Sequence, residues 1–164
     1  VQEAEEFLER YYAKFPGLFE WIGKTKKAAR KTGVAYSKFG RFRALPDATL
    51  PKGYGNRGRI EAALRQAVNG PIQGDASDIC LWGLVRVARY LKETGKRAKV
   101  LATIHDALVL SVPLDELDEV SAKVKEILVN PGLSWLDGPE GAGVPLQVSA
   151  EYGLNWGEMV KEEA

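Results

Sequence analysis

Two β-rich, strongly apolar runs, Lys99–Ile104 and Leu108–Val112, are joined only by His105-Asp106-Ala107. That spacing predicts a β-hairpin. Its strands carry Val100, Leu101 and Ile104 on one side of the turn and Leu108, Val109 and Leu110 on the other. A two-stranded hairpin is marginal by itself in water, so this one needs helices packed against it. Pro113 starts a predicted helix to about Val129, with Leu117, Val120, Val124, Ile127 and Leu128 on one side. Upstream, Gly74-Asp75 leads into a long predicted helix to about Lys92, with Asp75 or Ser77 near its start. Its most apolar part, Ile79–Leu91, contains Arg86 and Arg89, and no apolar run in the chain reaches the roughly 18 residues of a membrane span.

The remaining elements follow the same logic. Val1–Lys14 reads as a helix with Phe7, Leu8, Tyr11 and Tyr12 at helical spacing, broken by Pro16-Gly17. Leu18–Lys31 reads as a second helix, closed by Gly33. Val34–Ser37 and Arg41–Leu45 are expected to form a short hairpin around Lys38-Phe39-Gly40, followed by a loop over Pro46–Gly55. Asn56 suits the N-cap of a helix to about Val68, which Asn69-Gly70-Pro71 is expected to interrupt. Asn130–Gly143 reads as a Gly/Pro loop and Pro145–Glu151 as a returning last strand. The fold class is therefore α+β, and 164 residues suffice for one domain. With one cysteine, Cys80, and one histidine, an internal disulfide and a structural zinc site are excluded, which fits an intracellular protein.

Charge is distributed unevenly behind a net value of +1. Lys24–Arg65 holds twelve Lys or Arg against two acids, while Pro113–Ala164 holds three Lys against eleven acids. The basic stretch points to a polyanion partner. Tyr36, Phe39, Phe42 and Tyr54 lie within it and are expected to serve as core or loop anchors.

Two groups of residues carry chemical potential. Asp106, at the tip of the apolar hairpin, is a carboxylate on a rigid base, suited to a hard cation such as Mg²⁺. Aspartate is also what a tight turn selects, so the His105-Asp106 pair alone leaves both readings open. Arg65, Asn69 and Gln73 recur at spacing four and on a helix would share one face, with donors and acceptors that suit base edges or sugar oxygens. A solvated polar helix face has the same pattern, and the Gly70-Pro71 break threatens its continuity.

Taken together, these segments resemble DNA polymerases of family A, the bacterial DNA polymerase I class. Arg65–Ile79 reads RQAVNGPIQGDASDI and is similar to that family's "R…NxPxQGxAADI". Ile104-His105-Asp106 followed by Ala-Leu-Val resembles its motif C, VHDE. Tyr12–Gly17 resembles its "F..YPG" turn, Gly40–Asp47 its "GRRRxLPD", and Val144–Leu146 through Asn155-Trp156 its "VPL…G.NW" ending. The matches run in order along nearly the whole chain.

The resemblance implies the C-terminal part of a polymerase palm, a hairpin and returning strand packed with helices, with part of the fingers. Residues 1–55 would be the end of the fingers and its connection, and residues 56–164 the palm. Asp106 would bind catalytic Mg²⁺, one side of a two-ion site, and His105 would stand near the primer terminus. Arg65, Asn69 and Gln73 would lie near the nascent base pair, and Arg41 and Arg43 would meet template DNA. Primer–template DNA and deoxynucleoside triphosphates are the implied partners, with no membrane. Ala107 stands where the family usually has glutamate, Leu64 where it has glutamate, and Asp75 where it has threonine or serine. The family's motif A aspartate and nucleotide-gripping fingers helix lie upstream of Val1, so a further polymerase portion, on another chain or a missing segment, is expected to complete the site. The alternative is a non-catalytic DNA-binding or assembly module derived from the same fold.

Overall fold

A computed structural model describes residues 2–137 and 143–161. Val1 and residues 138–142, within the expected loop 130–143, lie outside them. The chain forms two compact units that divide between Ala76 and Ser77.

In the first unit, α1 (Gln2–Lys14) and α2 (Pro16–Thr32) meet through aromatic rings. Tyr12 and Phe19 pack edge-on with centroids 4.1 Å apart, and Tyr11 and Phe19 do so at 5.6 Å. Pro16 sits at the start of α2, where its missing N–H costs no helical bond. Gly33 ends α2 in the left-handed region (φ +69°), donating its N–H to the Ala29 carbonyl at 2.8 Å. The chain then forms the hairpin β1 (Val34–Tyr36) and β2 (Phe42–Ala44), registered Val34↔Ala44 and Tyr36↔Phe42. A 3₁₀ turn over Pro46–Thr49 follows, held to α2 by Arg30, which donates to the carbonyls of Ala48 and Leu50. The core here is Ala29, Ala35, Leu45, Ala48, Ala63 and Ala67. None of the four aromatics expected as core or loop anchors belongs to this core. Tyr36 and Phe42 are 65% and 69% exposed, and Phe39 and Tyr54 also face solvent.

The largest correction concerns α3, which runs unbroken from Arg57 to Glu93 with Pro71 inside it. Proline removes one i→i−4 bond, leaving the Ala67 carbonyl without its usual donor, but the ladder on either side carries the helix through. Asn56 precedes the first turn as expected, its amide donating to the Pro51 carbonyl at 3.1 Å. Asp75 lies well inside α3 rather than near a helix start.

In the second unit, β3 (Lys99–Ile104) and β4 (Ala107–Ser111) form the expected antiparallel hairpin. A 3₁₀ turn (Leu114–Glu116) leads into α4 (Leu117–Val129), and α5 (Ser134–Asp137) follows. Val87 and Leu91 of α3, Ala98, and Val120, Val124 and Ile127 of α4 form the core. Val100, Leu108, Leu110 and Val112 cover it from the hairpin. Arg86 reaches from α3 to the Ile127 and Asn130 carbonyls, and Trp82 Nε1 donates to the Pro131 carbonyl at 3.0 Å. These bonds satisfy backbone acceptors at the end of α4, where the helix itself cannot.

The returning strand expected over Pro145–Glu151 is shorter and displaced towards the C-terminus. Only Glu151-Tyr152 (β5) is extended in a ladder, and its partner is Val160-Lys161 (β6), not β3 or β4. Tyr152 attaches β5 to α4 through a hydroxyl contact with Ser121. Among the described residues the sheet content is thus three separate two-stranded ladders. Among the described residues, no helix is long and apolar enough to cross a membrane.

Candidate active site

Asp106 is placed by pairing on both sides of it. Ile104 pairs with Ala107, so the loop is two residues, His105 and Asp106, rather than three. His105 adopts φ +54°, and it is the non-glycine residue of positive φ among those described. Two-residue hairpins need positive φ at the first central position to match the twist of their strands, and glycine is the usual choice. Histidine there holds about 1–3 kcal/mol of backbone strain, the kind found where a site over-determines its geometry. Both side chains are exposed at the tip.

The other end of the hairpin is pinned to the start of α4. Glu116 accepts the N–H groups of Arg97 and Ala98 at 3.0 and 3.2 Å and the Arg97 Nε at 3.3 Å. Arg97 also pairs with Asp115, and Lys96 with Glu119. Desolvation opposes ionisation of Glu116, yet the Arg97 and Ala98 N–H groups and the Arg97 guanidinium together hold it below the usual carboxylate range. Between these ends the pairing slips at Leu101: Val100 faces Leu110 and Ala102 faces Val109, leaving Leu101 unpaired and 63% exposed. The bulge adds local twist to the strand that leads to the turn.

On α3 below this hairpin, burial and then the charge of Asp106 push the Cys80 thiol up, so it stays protonated at neutral pH. Asp106 fits Mg²⁺ as one hard oxygen ligand on a fixed support; that ion binds through one or two carboxylates plus substrate phosphates and water. Among the described residues no three His, Cys, Asp or Glu stand together as a complete cation cage.

Arg65, Asn69 and Gln73 lie in the first unit, all exposed on the unbroken α3. Because Pro71 does not end the helix, their four-residue spacing puts them along one face, about 6 Å apart in rise. Arg41 precedes β2 and Arg43 lies within it, both exposed. A Cβ built on Gly70 would stand 3.5 Å from Cδ of Arg43. Asp75, noted in the sequence only as a helix-start residue and a departure from a motif, accepts the Lys38 N–H on Oδ1 at 2.7 Å. No sequence pattern signals that bond, which spans 37 positions.

The second unit thus carries an exposed carboxylate on a strained turn, and the first a polar helix face and a basic hairpin, in an α+β segment. The chain belongs to DNA polymerase family A, whose sequence pattern matches residues 1–158. It is 36% identical over 157 residues to the DNA polymerase of Bacillus phage SP01, covering 95% of this chain and 16% of that protein. To the thermostable DNA polymerase I of Thermus filiformis it is 38% identical over 161 residues, 98% of this chain and 18% of that protein. The POL domain of Pol1 from M. smegmatis, solved in complex with DNA primer-template and dNTP, superposes with a TM-score of 0.73 at 32% identity. That match covers 89% of this chain and 24% of the other. The chain therefore corresponds to about one sixth of the length of these relatives.

Proposed function

We propose that this segment supplies the motif C side of a template-directed DNA polymerase site, joining deoxynucleotides to a primer 3′ end. The observation that carries the reading is the two-residue His105-Asp106 turn, with a strained backbone and an exposed carboxylate, in a chain of this family. In this reading residues 1–55 belong to the end of the fingers and its connection, and residues 56–164 to the palm. Asp106 offers one carboxylate ligand to Mg²⁺, and the remaining carboxylate comes from a polymerase portion bearing motif A. When bound, Mg²⁺ supplies charge stabilisation for the attacking and leaving oxygens of in-line phosphoryl transfer. His105, fixed by its backbone, stands at the primer terminus. Arg65, Asn69 and Gln73 lie near the nascent pair, and Arg65 and Gln73 offer polar groups to its minor-groove edge, where acceptor positions are nearly the same for every correct pair. Arg41 and Arg43 hold template phosphates.

The test is single-turnover incorporation with Mg²⁺ by the complete polymerase, wild type against Asp106→Asn, both saturated with primer–template. Asparagine keeps the size and turn propensity of aspartate and loses the charge. A loss well beyond tenfold, about 1.4 kcal/mol in the barrier, is expected, with DNA affinity unchanged. A smaller loss removes Asp106 from the metal site. Ala107, where the family usually has glutamate, favours a second reading as a non-catalytic DNA-binding module. That reading forecasts equal DNA binding by both proteins and no incorporation by either.

A further inference from the structure

Asp75 lies on α3 two residues beyond Gln73, and its carboxylate accepts a backbone N–H from the tip of the β1–β2 hairpin, Lys38, at 2.7 Å. The tip is closed on itself as well: Ser37 Oγ accepts the Arg41 N–H at 3.1 Å, and the Ser37 N–H reaches the Arg41 carbonyl at 2.8 Å. Beside this bond the hairpin runs against two glycines of α3. Ser37 Cβ lies 4.0 Å from where a Gly74 Cβ would stand, and Arg43 Cδ lies 3.5 Å from that of Gly70. Gly70 and Gly74 are one helical turn apart, and a methyl at either would make ordinary contact with the hairpin, so the hairpin lies alongside this stretch of α3 and Asp75 ties it there.

From this geometry we infer that Asp75 is a positioning residue: it latches the basic hairpin to α3 and thereby aims Arg41 and Arg43 at the nucleic-acid backbone alongside Arg65, Asn69 and Gln73. The inference rests on the DNA-contact reading of those residues. An anion beside a phosphate path repels DNA unless it does something else, and a charge-assisted bond to a backbone N–H is among the stronger hydrogen bonds available. Asp75 turns its charge inward, onto the hairpin backbone, where its oxygen orders two arginines.

The two roles forecast opposite signs. If Asp75 is only an anion near DNA, Asp75→Ala tightens binding. If it is the latch, Asp75→Ala weakens binding, because the released hairpin loses its phosphate contacts. Asp75→Asn is the conservative control: its amide oxygen still accepts the Lys38 N–H, and the charge is gone. Affinity of the complete polymerase for primer–template is measured as a function of salt for wild type, Asp75→Ala, Asp75→Asn and the double variant Arg41→Ala/Arg43→Ala. Each phosphate contact contributes about 0.9 to the log–log salt slope, so the double variant is expected to lower it by up to about two and affinity by about tenfold or more. Asp75→Ala is expected to move in the same direction, while Asp75→Asn binds at least as tightly as wild type. Hydrogen exchange of the 37–43 peptide is the independent readout, faster in Asp75→Ala and unchanged in Asp75→Asn. Unchanged exchange in Asp75→Ala, or tighter binding by it, overturns the latch. An unaltered slope in the arginine double variant, with faster exchange in Asp75→Ala, overturns the DNA-contact reading and leaves Asp75 as a structural tie alone.

Discussion

His105 shows how much a single backbone angle can say that a side-chain type does not. The sequence places it in a turn, but its φ of +54° follows from the pairing of Ile104 with Ala107, which leaves only two residues to reverse the chain. His105→Gly relieves that strain and adds freedom to the unfolded chain, two effects of about 1 kcal/mol each and of opposite sign. We expect its melting temperature to move by only a few degrees while incorporation by the complete polymerase falls clearly. Undiminished incorporation would make His105 a turn residue only. The exposed aromatics are the residue-scale feature the sequence conceals. Tyr36 and Phe42 have the composition of core residues, but in β1 it is Ala35 that is buried, and Tyr36, paired with Phe42, takes the exposed face.

At the level of elements, the two hairpins and the helices α1, α2 and α4 are legible from their apolar patterns, whereas α3 reads as two helices. The reason is Pro71: proline forecasts a break wherever it stands, and whether a helix survives it depends on the ladder on either side. Pro71→Ala returns a donor to the Ala67 carbonyl and removes the ring clash, so thermal unfolding should move upward, by as much as about 3 kcal/mol. A lower melting temperature would mean that Pro71 shapes a contact the helix needs. The last strand is misread for a different reason. Pro145–Glu151 has strand-like residues, of which only Glu151 is in a ladder; a strand exists only where a neighbour offers a free edge, and that pairing is not written in the segment itself. The junction of hairpin and α4 carries a pH signature. Glu116 is held below its ordinary range, so its contribution is fully present above its unfolded pKa and is lost as pH falls through the lower, folded value. Glu116→Gln should therefore be less stable than wild type near neutrality, with the gap closing in acid. A gap independent of pH would show that the carboxylate charge contributes nothing there.

At the scale of the molecule, apolar surface decides behaviour. Leu81, Val85, Leu101 and Ile104 of the second unit are all more than a third exposed, as are Phe7, Tyr12 and Trp21 of the first. That much open apolar surface favours association. The 164-residue chain by itself is expected to self-associate. A monodisperse monomer at high concentration, seen by sedimentation, would contradict this. On the proposed reading it is also expected not to extend primers unaided, since Asp106 would supply only one side of a two-ion site. Template-directed incorporation by the pure chain would refute that.

The bulge at Leu101 bears on how the length of this region can change over generations. β3 holds one residue more than the pairing needs: with Leu101 deleted, Val100 still meets Leu110, Ala102 meets Val109, and Thr103 meets Leu108. Deleting Ala102 instead lets Leu101 slide into its place. Neither loss turns the tip over. β4 has no such spare, so removing Val109 exchanges its inward and outward faces and carries Asp106 to the wrong side. Single-residue deletions should therefore be tolerated along β3 and eliminated along β4, an asymmetry set by one unpaired leucine rather than by chemistry at the tip.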